Sequence, residues 1–349
     1  ENLNKIDATK INIKELDDID VFTYSPPCQS FSIAGKRLGL QDPRGNMFYY
    51  ALPIIKEKKP KYALMENVKG LVSGKFKSLF QDMLKQLSDA GYNNYYKVLN
   101  AKDYGVPQNR ERVFIISIRK DIDDGYFKFP EPFDNGLRLR DMLGKKVDEK
   151  YYVYGDKCEK LIQKLKQKEI SNSIRIGGKS SFDRHSWDLV VVDSERERES
   201  STNNKTKIFP CLTSDRLNKR YVGNTVQTNN LKKLGYLSKD SQGYKVYDAN
   251  NIACTQTVSA GGLGGTTGLY LVNYKIRKLT PLECWRLMGF NDTDYSKVKQ
   301  ILELKFYNGK DRSNSQMYKM AGNSIVVNVI EEIYKKLFLY NNNIKKYII

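Results

Sequence analysis

The stretch DVFTYSPPCQ, residues 20–29, decides the start of the fold. Its first six residues are mostly β-branched or aromatic and predict a buried strand, which the two following prolines end. The run YALMENV at residues 62–68 predicts a second strand. After it, apolar residues recur at helical spacing from Phe76 to Leu87, and Gly91 predicts the end of that helix. This alternation of strand and helix is typical of a parallel α/β sheet.

Two further strands are predicted at residues 95–99 and 113–118, which completes one doubly wound unit. Short β-like runs then occupy about residues 206–273. Helical patterns return at Thr280–Met288, where Pro281 suits a helix start, and at Ile325–Leu339. The last helix should pack on the first domain, because one face of it is apolar. That face carries Val326, Val329, Ile330, Ile333 and Leu337.

Composition points to a basic globular protein. The 349 residues include 59 Lys and Arg against 40 Asp and Glu, which gives a formal charge of +19. Hydrophobic residues make up 40%, which is enough for a core. No apolar run reaches the roughly 18 residues of a membrane span, and residues 1–10 lack a signal-peptide profile, so we expect an intracellular, soluble protein. The charge fits either general solubility or a nucleic-acid partner.

Cysteine and histidine usage excludes several kinds of site. Five cysteines occur without a CxxC pair, and His185 is the single histidine. This usage disfavours zinc ribbons, His-based triads and Cys–His nucleophilic pairs, and we predict no metal site. Cys158, Cys211, Cys254 and Cys284 are expected to serve packing or to lie on the surface, as is His185.

Three groups of side chains are candidates for chemistry. Cys28 follows a predicted strand at the sheet edge where α/β proteins place their active sites, although a lone cysteine is more often a small buried hydrophobe. Glu66 ends the second strand at the same edge. Strand alternation turns Arg110 and Arg112 to one side, where they could grip a carbonyl oxygen and orient the carboxylate, or form a surface ion-pair ladder.

Five motifs in one order carry a resemblance that covers nearly the whole chain. The sequence resembles the cytosine-5 methyltransferase family of bacterial and phage type, with a long variable region between the third and fourth motifs. The motifs are PCQ at 27–29, ENV at 66–68, QNRER at 108–112, RKLTPLECWRLMGF at 277–290 and YKMAGNS at 318–324.

The resemblance implies a mechanism for four of these residues. Cys28, as a thiolate, would attack carbon 6 of a cytosine that has been flipped out of the duplex. Glu66 would bond ring nitrogen 3 and the exocyclic amine. Arg112 would hold the base carbonyl, and Arg110 would support the pocket. The methyl group would reach carbon 5 from S-adenosylmethionine, leaving S-adenosylhomocysteine.

The resemblance also implies binding residues. The cofactor-binding positions are Asp7, Pro27, Asn67, Asn323 and Ser324. The DNA-binding positions, in a loop from Gln29 to Phe48 that would close on the flipped strand, are Gln29, Ser32, Lys36 and Arg44. In the variable region, Lys219 and Arg220 are further candidates for contact with a short target sequence in the major groove.

The expected fold is therefore α/β. A doubly wound, Rossmann-like methyltransferase sheet would lack its N-terminal units and be joined by a smaller, mainly β target-recognition domain. Residues 1–130 and 315–349 would form the catalytic domain, and residues 131–314, including the 277–290 motif, would form the second domain.

One motif of the family is missing from the sequence. The glycine-rich F-x-G-x-G turn, with the acidic residue that binds the ribose, does not occur, and residues 261–265 are no substitute. About 60 residues, or two βα units, are expected before Glu1. An omitted upstream segment, a second polypeptide or a degenerate protein would each explain this. We expect residues 1–349 alone to bind S-adenosylmethionine weakly or not at all.

Three functions differ in class. The first is a cytoplasmic, nucleoid-associated DNA cytosine-5 methyltransferase, such as one from a restriction–modification system, acting on double-stranded DNA. The second is a tRNA cytosine-5 methyltransferase, although such enzymes carry Cys-Phe-Thr where this chain has Cys211-Leu212-Thr213. The third is an inactive DNA-binding subunit, against which the intact Cys28, Glu66, Arg110 and Arg112 argue.

Overall fold

A computed structural model describes residues 10–26, 47–171, 220–222, 225–227, 229–238, 241–258, 267–306 and 313–339. The chain divides into two compact units. The first comprises Glu1–Gly105, Arg110–Asn135 and Ile325–Ile349, and the second comprises Val106–Asn109 and Gly136–Ser324. In the described part of the chain, no helix is long and apolar enough to span a membrane.

The structure has strands and helices in both units. The strands are β1 (Val21–Tyr24), β2 (Tyr62–Val68), β3 (Tyr92–Asn100), β4 (Gln108–Asn109), β5 (Glu111–Arg119), β6 (Tyr152–Val153), β7 (Arg220–Val222), β8 (Thr225–Gln227), β9 (Lys233–Tyr236), β10 (Lys245–Asp248), β11 (Ala253–Cys254), β12 (Leu269–Val272) and β13 (Lys275–Arg277). The α-helices are α1 (Phe48–Lys58), α2 (Lys77–Asp89), α3 (Leu139–Met142), α4 (Asp156–Ser171), α5 (Pro281–Arg286), α6 (Asp292–Phe306), α7 (Asn314–Asn323) and α8 (Val327–Tyr334).

The sheet of the first unit has the strand order β1-β2-β5-β3. β1 and β2 are parallel, but β5 runs antiparallel to both β2 and β3. The prediction of a parallel sheet is therefore wrong for β5. Only residues 101–110 join β3 to β5, and a parallel crossover needs a dozen residues or more, so the chain returns in the opposite direction.

Helix α2 shows how the core of this unit forms. Its apolar residues recur three and four positions apart, and Phe80, Met83 and Leu87 are buried. Gly91, whose φ of 97° suits glycine, follows the helix and lets the chain turn into β3. The buried cluster that α2 helps to build contains Phe48, Leu52, Ile55, Ala63, Met65, Leu71, Phe76, Phe80, Met83, Leu87, Tyr92, Val113 and Ile115.

Helix α8 is shorter than predicted, because its last turn, Lys335–Leu339, is π-helical. Its buried side carries Val329, Ile333 and Leu337, as the pattern predicted. Ile330 instead lines an open apolar groove on the other side. The groove is lined by Ile325, Val327, Ile330, Glu331, Tyr334, Lys335 and Phe338.

The second unit contains a five-stranded sheet in the order β6-β13-β12-β10-β9. Its neighbouring strands are antiparallel except for β10 and β12, which are parallel. One face packs against α4 around a small core. That core contains Cys158, Leu237, Val246, Leu269 and Ile276.

The 277–290 motif builds the helical part of the second unit. Thr280 caps α5, its Oγ1 accepting from the Glu283 N–H, and Pro281 begins the helix as predicted. Trp285 is buried, and its Nε1 donates to the Met317 carbonyl of α7 at 2.9 Å. Helix α7 therefore groups with α5 in the second unit, whereas the predicted boundary assigned residues 315–323 to the catalytic domain.

Gly322 near the end of α7 allows a close approach of two backbones. A Cβ atom at this position would lie 2.3 Å from the Thr257 carbonyl carbon and 2.3 Å from the Val258 nitrogen. No side chain fits there without moving the backbone. The glycine of the YKMAGNS motif is thus required by packing within the second unit.

Candidate active site at the ends of strands β1 and β2

Glu66 is the centre of the candidate site and stands two residues before the end of β2 at Val68. Its carboxylate is almost buried, with 8% of the side chain exposed. Arg112 Nε lies 3.0 Å from Glu66 Oε1, and Ser25 Oγ donates to Glu66 Oε2 at 2.7 Å. The carboxylate is therefore held from both oxygens, by one cation and one hydroxyl.

Strand pairing explains why these three residues meet. In the parallel pair, Tyr24 lies opposite Met65, so the next residues along each strand, Ser25 and Glu66, are neighbours. In the antiparallel pair, Val68 lies opposite Arg112. Arg112 lies on β5, which pairs with β2 on the side opposite β1. The sheet order thus places β2, with its carboxylate, between its two partners.

The carboxylate retains acceptor capacity. A carboxylate has about four lone-pair positions, two on each oxygen. Ser25 and Arg112 take one position on each oxygen. One position on each oxygen therefore remains for a ligand that presents two polar atoms along one edge.

Asn67 anchors the segment that leads towards Cys28. Its side chain is 2% exposed, its Nδ2 donates to the Pro26 carbonyl at 3.1 Å, and its Oδ1 accepts from the Val68 N–H at 2.8 Å. These bonds fix the chain at the end of β1 to the end of β2. Asn67 is thus a bridge between two strand ends.

Arg110 and Arg112 flank an outward-facing residue. Arg110 is 4% exposed, and Arg112 is partly buried. Glu111 between them is exposed and pairs with Lys69 at 2.8 Å. The alternation of burial is the one expected of a strand. The Arg110 backbone is fixed as well, because its N–H donates to Asn100 Oδ1 at 3.0 Å.

The remaining predicted residues belong to the second unit or lie outside the described residues. Asn323 and Ser324 stand at the end of α7 in the second unit, where Ser324 Oγ donates to the Met320 carbonyl. Arg220 begins β7. The predicted positions outside the described residues are Asp7, Pro27, Cys28, Gln29, Ser32, Lys36, Arg44, His185, Cys211, Lys219 and the glycines of 261–265.

The sequence did not predict the roles of two residues, Ser25 at the candidate site and Gln108 in the interior of the second unit. Ser25 stands directly before the proline pair at a strand end, and its position one step along from Glu66 in a parallel pair was the signal that could have identified it. Gln108 is fully buried in the second unit, where its Nε2 donates to the Leu287 carbonyl and its Oε1 accepts from the Gln256 N–H. The motif QNRER had suggested only arginines.

Three of the other cysteines lie in the described part of the chain. Cys158, Cys254 and Cys284 are buried and unpaired, as expected. Burial raises the pKa of the Cys254 thiol and raises the pKa of the Cys284 thiol well above its usual range. Among the residues that the structure describes, no group of His, Cys, Asp and Glu side chains could hold a metal ion.

The Glu66 carboxylate, paired with Arg112, lies at the ends of the parallel strands β1 and β2, which is where α/β proteins bind their ligands. The profile of the C-5 cytosine-specific DNA methylase family matches residues 1–339. The chain belongs to this family, whose members are DNA cytosine-5 methyltransferases, as the five motifs predicted.

Curated relatives agree over most of the chain. The type II methyltransferase M.HhaI of Haemophilus parahaemolyticus is 33% identical over 327 residues, which cover 94% of this chain and 78% of that protein. The type II methyltransferase M2.ScrFI of Lactococcus lactis subsp. cremoris is 34% identical over 340 residues, which cover 97% of this chain and 71% of that protein.

Solved structures share the fold. The methyltransferase EhMeth of Entamoeba histolytica has a TM-score of 0.57 at 16% identity, over 97% of this chain and 83% of that one. The Dnmt2 methyltransferase of S. pombe has a TM-score of 0.53 at 18% identity, over 95% of this chain and 82% of that one. The predicted α/β methyltransferase fold is confirmed.

Proposed function

We propose that this protein methylates carbon 5 of a flipped-out cytosine within a specific short sequence of duplex DNA, through a covalent adduct with Cys28. The observation that carries the proposal is the Glu66 carboxylate, fixed between Arg112 and Ser25 in a chain of this family. Each oxygen of Glu66 keeps one open position, so the carboxyl group can accept from the exocyclic amine of cytosine with one oxygen and, when it carries a proton, donate to ring nitrogen 3 with the other.

Glu66 would recognise the base and support the reaction. The exocyclic amine of cytosine donates a hydrogen bond, and ring nitrogen 3 gains negative charge when a nucleophile adds to carbon 6. A carboxyl group that contacts both atoms selects cytosine and offsets that charge, provided that it carries a proton toward nitrogen 3. Arg112, already bonded to Glu66 Oε1, would keep the carboxyl oriented and contact the base carbonyl.

Cys28 follows Pro26, which Asn67 holds, by two positions in the sequence. In our proposal its thiolate forms a bond to carbon 6, and the electron pair of the C5–C6 double bond moves towards carbon 5. After carbon 5 has taken the methyl group, it loses its proton to solvent, the C–S bond breaks and the thiolate is released. The double bond of the ring is thereby restored.

S-adenosylmethionine, the donor of the family, would supply the methyl group and leave as S-adenosylhomocysteine. Of the five residues predicted to bind it, the structure describes Asn67, Asn323 and Ser324. Asn67 is nearly inaccessible, and its side-chain amide bonds two backbone groups, so it holds the ends of β1 and β2 together. Asn323 and Ser324 lie in the second unit, and Asp7 and Pro27 lie outside the described residues. We therefore derive no step through the donor.

Duplex DNA is the proposed partner. The net charge of +19 favours a polyanion, and phosphate contacts would make binding strongly salt-dependent. Residues 131–314 would read the target, with Lys219 and Arg220 as candidates. Gln29, Ser32, Lys36 and Arg44 would contact the flipped strand.

A mechanism-based trap tests the proposal. The protein, with and without its natural upstream segment or genomic neighbour, is incubated with S-adenosylmethionine and duplexes containing 5-fluoro-2′-deoxycytidine, whose fluorine cannot leave as a proton does. We expect a covalent protein–DNA adduct that survives denaturing electrophoresis and is lost in Cys28→Ser. Bisulfite sequencing of DNA from an expressing host would then give the target sequence.

Other outcomes discriminate the alternatives. An adduct that persists in Cys28→Ser would refute the assignment of the nucleophile. An adduct with fluorinated tRNA and none with any duplex would replace DNA by RNA as the substrate. Absence of methylation in both polymers, with DNA binding retained, would identify an inactive DNA-binding subunit.

A further inference from the structure

We infer that Ser25 is a positioning residue for the catalytic carboxyl group: its hydroxyl fixes the rotation of the Glu66 carboxyl so that the open position on each oxygen faces the cytosine edge. This inference rests on the proposed function, since it assigns a role within the same site. It adds a residue that lies outside the five motifs used to recognise the family.

Ser25 makes the shorter of the two contacts to the carboxylate. Its Oγ is 2.7 Å from Glu66 Oε2, against 3.0 Å for Arg112 Nε and Oε1. The same hydroxyl is 3.2 Å from the Glu66 backbone carbonyl. Ser25 is itself exposed, so its side chain adds little to the core. Its hydrogen bonding, rather than its packing, is therefore the property to explain.

Rotation of the carboxyl is the freedom that must be restricted. The last torsion of a glutamate is broad, because it joins a tetrahedral carbon to a planar group. The contact through Arg112 Nε restrains Oε1, and a second restraint on Oε2 is needed to define the plane. Ser25 supplies that restraint from β1, while Arg112 supplies its own from β5. The carboxyl plane is thus set by both neighbours of β2.

A structural role for Ser25 predicts something different. If the hydroxyl served mainly to bond the Glu66 backbone carbonyl, its removal would lower the stability of the protein and affect every step equally. If it orients the carboxyl, its removal would slow the chemical step and leave DNA affinity and stability almost unchanged. A separation of rate from binding therefore decides between the two roles.

The experiment compares Ser25→Ala and Ser25→Thr with the wild type, using the full chain and a duplex that the wild type methylates. We expect Ser25→Ala to lower the single-turnover methylation rate by about 10- to 100-fold, the range for a hydrogen bond to a charged group. The Kd for the duplex should stay within about 2-fold, because duplex affinity is set mainly by phosphate contacts. Ser25→Thr keeps the hydroxyl and should restore most of the rate.

A double variant makes the test specific for Glu66. In Glu66→Gln, the carboxylate that Ser25 orients is gone, so adding Ser25→Ala should cause little further loss of rate. Full additivity of the two losses would overturn the inference. So would a Ser25→Ala variant that methylates at the wild-type rate, or one whose melting temperature and DNA affinity fall together with the rate. Failure of the wild type to methylate DNA would instead overturn the proposed function, and the inference with it.

Discussion

Each unit of the molecule contains a glutamate paired with an arginine in its interior. The two pairs differ in how many hydrogen bonds the carboxylate accepts. In the second unit, Glu283 accepts four hydrogen bonds, two from Arg277 at 2.9 Å and one each from the backbone of Thr280 and Gly144 at 2.8 Å. Both side chains are 1% exposed. In the first unit, Glu66 has one bond from Arg112 and one from Ser25.

The difference distinguishes a structural pair from a functional one. Glu283 has no acceptor position left, so it can only stabilise the start of α5 and its connection to β13. Glu66 keeps acceptor positions at the end of a strand, where ligands reach α/β sheets. Burial of a charged pair is therefore a poor guide to function, and the number of unused acceptor positions is a better one.

The largest effect should come from breaking the saturated pair. Glu283→Gln removes the negative charge opposite Arg277 and leaves a buried guanidinium without a counter-charge. We expect the free energy of unfolding to fall by about 3–5 kcal/mol, measured by urea denaturation.

The matched control is Glu111→Gln, which breaks an exposed pair with Lys69. This change should cost at most about 1 kcal/mol. A Glu283→Gln variant as stable as the control would contradict the structural role of the saturated pair.

Substitution in the Glu66–Arg112 pair should affect the methylation rate more than the stability. Glu66→Gln should lower the methylation rate by roughly 10²–10³-fold, as for the loss of one group that stabilises charge in a transition state. Its free energy of unfolding should fall by less than that of Glu283→Gln. Single-turnover kinetics and urea denaturation on the same preparation test both parts. A variant that unfolds easily but reacts at the normal rate would reverse our assignment of the two pairs.

A smaller effect should come from the cap that shares Glu283. Thr280 Oγ1 accepts from the Glu283 N–H at 3.2 Å, and Thr280→Ala removes this bond. The expected loss of stability is about 1 kcal/mol, with Thr280→Ser close to the wild type. The melting temperatures of the two variants provide the measurement. Equal melting temperatures for alanine and serine would show that the cap contributes nothing measurable.

The smallest expected effect is the reaction of the buried thiols with an alkylating reagent. Burial raises the pKa of Cys254 and Cys284, so the reactive thiolate is scarce near pH 8 and increases only at higher pH. In the native protein, iodoacetamide should leave both unmodified while it labels the proposed nucleophile Cys28. Peptide mass spectrometry before and after addition of urea tests this. Rapid labelling of Cys284 in the native state would contradict its buried placement.

Local patterns predicted much of the first unit. The helix from Phe76 to Leu87 and the strand ending at Tyr24 follow from spacing and from the glycine and prolines that end them. The direction of β5 did not follow, because its apolar run fits either orientation and only the short connection decides it. Strand direction depends on the length of a connection, which hydrophobic pattern does not record.

The candidate site was predicted in part. Glu66 and Arg112 belong to recognisable motifs, and the structure brings them together. Ser25 was missed because its contact depends on the register between two strands separated by some forty residues. Gln108 was missed because a glutamine in a polar motif gives no indication of burial. The roles of Cys28 as nucleophile and of the following loop in DNA binding remain predictions, because these residues lie outside the described part of the chain.

The QNRER segment divides between the two units, and this has a consequence for mutational data. Gln108 and Asn109 belong to the second unit, whereas Arg110 and the residues after it belong to the first. The two ends of this pentapeptide are therefore expected to tolerate substitution differently: Gln108 is buried in the second unit, and Arg112 pairs with the Glu66 carboxylate of the first. A saturation scan scored for both abundance and activity should show the change from one constraint to the other within this pentapeptide.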